Sequence, residues 1–215
     1  MRNFLNKEFF KRFISVIIFV PLVLFPLIYS KYLSLLIYTF FYSIIFLEIE
    51  SMKVSKQSKR IYNYYSLLTF LSFLLFIFLL ITTGKNNYVL IEIILIIWLF
   101  DTFSYLGGRI IGGKKLMPNI SPGKTISGLI SGIIFTLFVV GISKNFIYGY
   151  SDIYFLFTLT IIFLAFLGDM IVSILKRYSN LKDTGNIMPG HGGLLDRFDS
   201  FIFVFFGYGI FKLLI

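Results

Sequence analysis

The chain has 215 residues, of which 58% are hydrophobic and only 14% are charged, whereas soluble domains carry about 25% charged residues. Apolar runs near the length that crosses a hydrocarbon core, about 20 residues, recur along the whole sequence, which excludes a water-soluble globular fold. The chain has no cysteine, so disulfides, thiolate metal sites and cysteine nucleophiles are excluded, and a bound metal needs oxygen ligands or the single His191.

Seven apolar segments predict seven helices, because backbone groups inside lipid must be satisfied within their own segment. In chain order we expect them at roughly 13–29, 32–47, 65–83, 88–106, 127–143, 153–175 and 198–215. The fold class is therefore predicted to be all-α, a polytopic transmembrane helical bundle of about seven helices, within a range of six to nine. The first segment is short and contains Pro21 and Pro26, so the first two segments could instead form a tilted or re-entrant hairpin.

The basic residues show how these helices are oriented. The N-terminal arm and every second connection hold four Lys or Arg residues each, while the other connections and the C-terminal end hold one each. The positive-inside rule places the side with 16 of the 20 basic residues in the cytoplasm. We therefore expect a multi-pass protein of the inner (cytoplasmic) membrane with a cytoplasmic N-terminus. The charge of +10 then reflects topology and attraction to membrane lipids, and no nucleic-acid partner is expected.

The sequence shows no internal repeat and no low-complexity linker, so we expect residues 1–215 to form a single integral membrane domain. Within it, residues 1–60 are predicted to be an N-terminal helical hairpin and residues 95–203 the catalytic core. Two long connections on the basic side, 107–126 and 176–197, are rich in Gly, Pro, Lys and Asp. Because function concentrates in loops held by rigid elements, we expect the active site at the cytoplasmic face.

The first of these connections contains a candidate phosphate-binding loop, Ser121 to Thr125, with the sequence Ser-Pro-Gly-Lys-Thr. Gly123 lets the backbone approach a ligand, Lys124 supplies a positive charge, and N–H groups at the start of the next helix attract anions. The spacing of a Walker A loop is absent. The alternative is a basic loop that only fixes topology and caps a helix.

Two acidic residues lie within the fourth apolar segment. Asp101 is deep in this segment, where an ionised carboxylate is costly unless it is paired or faces a wet cavity, so it is predicted to be functional. Glu92 lies near the opposite end, where a solvated side chain at the outer interface is the favoured interpretation.

The second connection is flanked by carboxylates that could bind a metal. Asp169 shares one helix face with Ser173 and Lys176, at offsets of four and seven residues. Asp183 follows this helix, and Asp196 and Asp199 lie in the first turns of the seventh helix. Oxygen ligands of this kind suit Mg²⁺, which is bound by one or two carboxylates plus substrate phosphates. Capping of the seventh helix is the alternative role for its two aspartates, but it leaves Asp169 unexplained.

The single histidine, His191, lies in a Pro-Gly-His-Gly-Gly turn that exposes its backbone. Its imidazole could bind phosphate or order the loop. A lone His with no nearby Ser or Cys partner argues against a hydrolytic triad.

The stretch from Ser173 to Asp199 resembles the signature of the phosphatidate cytidylyltransferase (CDP-diacylglycerol synthase) family. Residues 101–109 and 121–125 also resemble that family, in the expected order, so the similarity covers roughly residues 95–203. The chain departs from the family pattern at Ser127, where the family usually has Glu between Trp and Gly, and at Val172, where it usually has Glu before Ser.

The resemblance implies an integral membrane transferase of phospholipid biosynthesis that depends on Mg²⁺ and is often a homodimer. In this family the phosphate of phosphatidic acid attacks the α-phosphorus of CTP, and pyrophosphate leaves. Asp169 and Asp196 are the implied metal ligands, supported by Asp183 and Asp199, and the sequence does not identify any second cation. Taken together, the predicted catalytic residues are Asp101, Asp169, Lys182, Asp183, His191 and Asp196, and the predicted substrate-binding residues are Ser121, Gly123, Lys124, Thr125, Ser173, Lys176, Arg177, Gly192, Gly193 and Arg197.

Two other classes of function are compatible with parts of the sequence. One is a different CTP-dependent membrane lipid enzyme, either a lipid kinase or a cytidylyltransferase for another lipid phosphate. The other is a polytopic transporter, which would explain the acidic residues inside the membrane. Transporters place polar residues near the bilayer midplane between repeats, whereas the polar motifs here cluster at one surface.

Overall fold

The computed structural model describes residues 2–52, 56–83, 87–147, 152–188 and 192–214. These ranges contain seven helices and one two-stranded antiparallel hairpin. In chain order they are α1 (Arg2–Tyr29), α2 (Lys31–Ser51), α3 (Lys56–Thr82), α4 (Tyr88–Ile110), β1 (Lys115–Met117), β2 (Ser121–Thr125), α5 (Ile126–Ile147), α6 (Asp152–Tyr178) and α7 (Leu195–Leu214).

The predicted all-α bundle is confirmed, with one helix for each predicted apolar segment. Five helices of the described chain are long and apolar enough to cross a membrane, and the apolar part of α1, Ser15–Tyr29, is shorter. The chain is therefore a multi-pass membrane protein. Several helices extend beyond their apolar segments, because a helix satisfies its own backbone in water as well as in lipid. The five candidate spans are Lys31–Ser51, Lys59–Thr82, Tyr88–Ile110, Ile126–Ser143 and Ile153–Tyr178.

A single residue, Ser30, separates α1 from α2. Its hydroxyl accepts a hydrogen bond from the N–H of Leu33 at 3.1 Å, so Ser30 is the N-cap of α2. The two helices consequently form a tight hairpin at the start of the chain.

Small residues allow α4 and α5 to pack closely. A Cβ added at Gly128 would lie 2.6 Å from the carbonyl oxygen of Ser104, and one at Gly132 would lie 3.0 Å from the Phe100 ring. Such contacts between small residues are a common basis for helix association inside membranes. They fix the β1–β2 hairpin, which connects these two helices, over one end of the bundle.

The α7 helix packs tightly against α6 and α3. A Cβ added at Gly168 would lie 2.5 Å from the carbonyl oxygen of Asp199, and the Ser200 hydroxyl donates to the Ala165 carbonyl at 3.1 Å. From α3, the Ser72 hydroxyl donates to the Ile202 carbonyl at 2.8 Å. These contacts hold the N-terminal end of α7 beside the C-terminal half of α6.

The sequence predicts only a loop where the structure has the β1–β2 hairpin. Pro122 and Gly123 have low strand propensity, so local sequence gives no strand signal in β2. Pairing with a segment earlier in the same connection supplies the missing hydrogen bonds, and Lys115 lies opposite Thr125 in the register. Gly112, with a φ of +67°, begins the turn that follows α4.

Candidate active site

Asp196, in the first turn of α7, is the centre of a hydrogen-bond network. Its Oδ1 accepts from Nζ of Lys176 at 2.7 Å, and the side chain is only 6% exposed. Its Oδ2 accepts from the N–H of Thr184 at 2.8 Å, the Thr184 hydroxyl at 3.0 Å and the N–H of Gly193 at 3.0 Å. Asp196 thus joins the end of α6 to Thr184 and to the turn that precedes α7, of which the structure describes Met188 and residues 192–194.

Glycine is required in this turn for two different reasons. Gly192 has a φ of +86°, a conformation that other residues rarely adopt, and a Cβ there would lie 2.6 Å from Oδ2 of Asp196 and 3.1 Å from Cβ of Asp183. A Cβ on Gly193 would lie 2.6 Å from Oε2 of Glu48. Both glycines let the turn pack directly against carboxylates.

Glu48, a buried residue of α2 that is 6% exposed, belongs to the site although no motif in the sequence marks it. Its Oε1 accepts from the N–H of Leu194 at 2.8 Å, and its Oε2 accepts from the N–H of Leu195 at 2.7 Å. The carboxylate therefore caps the N-terminus of α7, where unpaired N–H groups and the helix dipole favour a negative charge. The Thr184 hydroxyl lies between the two carboxylates, 3.1 Å from Glu48 and 3.0 Å from Asp196.

A second group of charges joins the β1–β2 hairpin to α6. Lys124, in β2, forms an ion pair with Oδ2 of Asp169, and its Nζ lies 5.7 Å from the centre of the Phe166 ring. The Ser173 hydroxyl, one turn further along α6, is 3.4 Å from Oδ1 of Asp169. The structure thus brings together the two polar segments that the sequence separates by more than 40 residues.

Asp101 and Asp199 belong to the same region as Asp169. The charge of Asp101 interacts with those of Asp169, Lys124 and Arg197. The charge of Asp199 interacts with those of Asp169, Asp101 and Lys176. Three carboxylates from α4, α6 and α7 therefore share one region with basic residues.

Asp169 and Asp196 lie at the same end of the bundle. Asp199 is opposite Gly168, the neighbour of Asp169, across the close contact between α6 and α7. Asp196 lies three residues before Asp199, which corresponds to about 4.5 Å along a helix axis. The two predicted metal ligands therefore lie at the same end of the bundle, within about one helical turn of each other in depth.

The side chains present suit Mg²⁺ as one part of a substrate complex. Within the described ranges, no three His, Cys, Asp or Glu side chains are grouped so that they could hold a metal ion by themselves. Mg²⁺ does not need such a cage, because it is commonly held by one or two carboxylates, waters and substrate phosphates. Among the described residues, Asp169 has its Oδ2 paired with Lys124 and accepts a long hydrogen bond at Oδ1 from Ser173 at 3.4 Å. Asp196 accepts three bonds at Oδ2 and one at Oδ1, so a cation could bind it only through Oδ1.

Other predicted site residues hold the two connections in place. Arg177 donates from Nε to the Ile120 carbonyl at 2.9 Å and from Nη1 to the Leu181 carbonyl at 3.1 Å, so it ties the β1–β2 hairpin to the turn after α6. The Thr125 hydroxyl accepts from the N–H of Gly128 at 3.0 Å and caps α5, as the alternative interpretation of this loop predicts. Ser121 is half-buried, Gly123, Lys182 and Asp183 are exposed, and His191 lies outside the described residues.

Ser127 and Val172, where the chain departs from the family pattern, both have structural surroundings that suit the residue present. Ser127, in the first turn of α5, donates a hydrogen bond to the Gly112 carbonyl and so joins this helix to the turn after α4. Val172 is fully buried in the core, where an ionised Glu would need a partner.

Comparison with known proteins gives the same result as the signature. The chain is 45% identical to the phosphatidate cytidylyltransferase of Staphylococcus haemolyticus over 125 residues, which are 57% of this chain and 48% of the relative. It is 47% identical to the enzyme of that name from Staphylococcus epidermidis over 112 residues, 51% of this chain and 43% of the relative. The Staphylococcus aureus protein is 43% identical over 125 residues, 57% of this chain and 48% of the relative.

The matching region covers about half the length of these curated relatives. A model of the cytidylyltransferase family, by contrast, matches residues 3–214, which is nearly the whole chain. The family inferred from the signature is thereby confirmed: the chain belongs to the cytidylyltransferase family.

Proposed function

We propose that this chain transfers the cytidylyl group of CTP to phosphatidic acid, giving CDP-diacylglycerol and pyrophosphate. The observation that carries this proposal is the meeting of two lysine–aspartate pairs, Lys124 with Asp169 and Lys176 with Asp196, at one end of a membrane bundle. The identity of the two substrates is inferred from the relatives named phosphatidate cytidylyltransferase.

The proposed reaction needs alignment and charge neutralisation more than covalent help from the protein. An oxygen of the lipid phosphate forms a bond to the α-phosphorus of CTP, and the bond between that phosphorus and the oxygen bridging to the β-phosphate breaks. Lys124 and Lys176 are suited to bind the phosphate groups of the two substrates, because each places an ammonium group in a half-buried position at this end of the bundle. Mg²⁺, when bound at Asp169 with Asp196 or Asp199 nearby, would supply further positive charge to the phosphates.

The turn before α7 would position the nucleotide and the lipid. Asp196 and Glu48 fix both of its sides, so Gly192 and Gly193 present a preorganised backbone. Preorganised groups contribute more to catalysis than groups that must reorganise during the reaction. We also propose that this end of the bundle faces the cytoplasm, as the distribution of basic residues predicts.

The test is an assay with purified protein, CTP labelled at the α-phosphate, phosphatidic acid in mixed micelles and Mg²⁺. We expect label to enter the chloroform-soluble fraction only when phosphatidic acid and Mg²⁺ are both present. Diacylglycerol and other lipid phosphates, offered separately, distinguish a lipid kinase and a cytidylyltransferase of different specificity. Transfer to one of these acceptors, with none to phosphatidic acid, would overturn the proposal.

A further inference from the structure

A cavity of about 590 Å³ lies between α1, α2 and the turn that precedes α7. Nine of the ten described residues around it are apolar, with Ser15 as the exception. Its volume falls within the usual range of small-molecule sites, about 300–1,000 Å³. The lining includes Ile18 and Leu22 from α1, Phe40 and Ile44 from α2, and Met188 and Leu194 from the turn.

This cavity opens on the outer surface of the two helices. Ile18 is 59% exposed, Phe40 is 61% exposed and Leu22 is 42% exposed. Because α2 is a candidate membrane span and the adjoining part of α1 is apolar, these side chains face hydrocarbon rather than water. A pocket with such a lining and such an entrance suits an alkyl chain and gives a water-soluble metabolite little to bind.

The inner wall of the cavity belongs to the candidate active site. Met188 donates its N–H to the Gly192 carbonyl at 2.9 Å, and Leu194 donates its N–H to Glu48 at 2.8 Å. Between them, the N–H of Gly193 donates to Asp196. One short turn therefore presents apolar side chains to the cavity and polar backbone groups to the Asp196 network.

We infer that this cavity binds one acyl chain of the lipid substrate and so places the lipid phosphate beside Lys176 and Asp196. The inference rests on the proposed function, because it assigns a place to the lipid of that reaction. A chain of the substrate fits this cavity better than a bulk lipid does, because the cavity wall and the Asp196 network share the same turn. Filling the cavity should consequently weaken binding of long-chain substrate more than that of short-chain substrate.

The test compares Ile18→Trp and Leu22→Trp, which place a larger side chain in the cavity, with Ile17→Trp. Ile17 is 53% exposed on the same helix and is not among the lining residues, so it is a matched control. For the filling variants we expect KM for dioleoyl phosphatidic acid in mixed micelles to rise about tenfold, equivalent to the loss of roughly two buried methylene groups. KM for dihexanoyl phosphatidic acid and KM for CTP should stay unchanged.

A second measurement does not depend on turnover. Phosphatidic acid with a photoreactive group on one acyl chain should label α1 and α2 in the wild-type protein, and Ile18→Trp should reduce this labelling while Ile17→Trp should not. Unlabelled phosphatidic acid should compete with this labelling more strongly than unlabelled phosphatidylcholine does. Equal competition by the two lipids would show that the cavity holds bulk lipid and would overturn the inference. An active wild-type enzyme with identical lipid KM values in all variants would also overturn it. Failure of the wild-type protein to transfer label from CTP, by contrast, would refute the proposed function itself.

Discussion

Replacement of Glu48 tests how much of the site depends on a residue far from the recognised motifs. Glu48→Ala removes the carboxylate that accepts from the N–H groups of Leu194 and Leu195 at 2.8 and 2.7 Å. The Thr184 hydroxyl keeps Asp196 as an acceptor, so losing its hydrogen bond to Glu48 costs less folding free energy. Each buried N–H left without a partner costs about 1–3 kcal/mol, so the two together predict a loss of about 2–6 kcal/mol in folding free energy.

Glu48→Gln separates shape from charge. Glutamine keeps one carbonyl oxygen, which can accept from one of the two N–H groups, but its amide NH2 would face the other donor. We therefore expect about half the destabilisation of Glu48→Ala, or about 1–3 kcal/mol, together with a loss of the favourable charge at the α7 N-terminus. If Glu48 positions the turn, kcat for cytidylyl transfer should fall in both variants, and Gln should partly rescue it.

The assay combines thermal unfolding in detergent with steady-state transfer from labelled CTP. Glu50→Ala is the matched control, because Glu50 is an exposed carboxylate on the same helix two residues away. The predicted order of stability is Glu50→Ala, then Glu48→Gln, then Glu48→Ala. A Glu48→Ala protein as stable and as active as the Glu50→Ala protein would show that the α7 N-terminus does not need this cap.

Three further predictions concern other parts of the structure. Gly128→Ala should lower the unfolding temperature, because its Cβ would lie 2.6 Å from a backbone oxygen of α4, whereas Gly141→Ala on the same helix has open space and should not. Gly192→Ala should insert correctly into the membrane but reduce kcat at least tenfold, because the added Cβ strains the turn against Asp196. Unchanged kcat would show that the shape of this turn does not matter for turnover. Lys124→Met should raise KM for CTP or for the lipid while leaving the helical circular-dichroism signal unchanged, and unaltered KM values for both would count against phosphate binding by Lys124.

The helices could be predicted because each depends on its own sequence. A run of about 20 apolar residues has to be helical in lipid whatever surrounds it, and all seven predicted segments correspond to helices. The sequence predicts that Lys124 and Asp169 both belong to one basic, phosphate-binding region, but it does not predict that they form an ion pair. Its geometry depends on how α4 and α5 carry the β1–β2 hairpin over the end of α6.

The role of Glu48 and the two strands could not be predicted, because they depend on contacts with distant parts of the chain. Glu48 lies at the end of an apolar segment with Glu50 close by, a position typical of a solvated side chain at the membrane surface. Its role appears only when α2 packs beside the start of α7, almost 150 residues later. The strand at 121–125 likewise depends on pairing with 115–117, against the propensities of Pro and Gly.

We propose that carboxylates of α6 and α7 act together in cytidylyl transfer at one end of the bundle. The activity of purified Asp169→Asn and Asp196→Asn, measured as chloroform-soluble label from CTP across a Mg²⁺ titration, tests this cooperation. Glu50→Gln provides the matched control for loss of a carboxylate. We predict that each aspartate variant inserts into the membrane but loses CDP-diacylglycerol formation at every Mg²⁺ concentration, while the control keeps it. Wild-type turnover in both aspartate variants would show that these carboxylates are not needed for cytidylyl transfer.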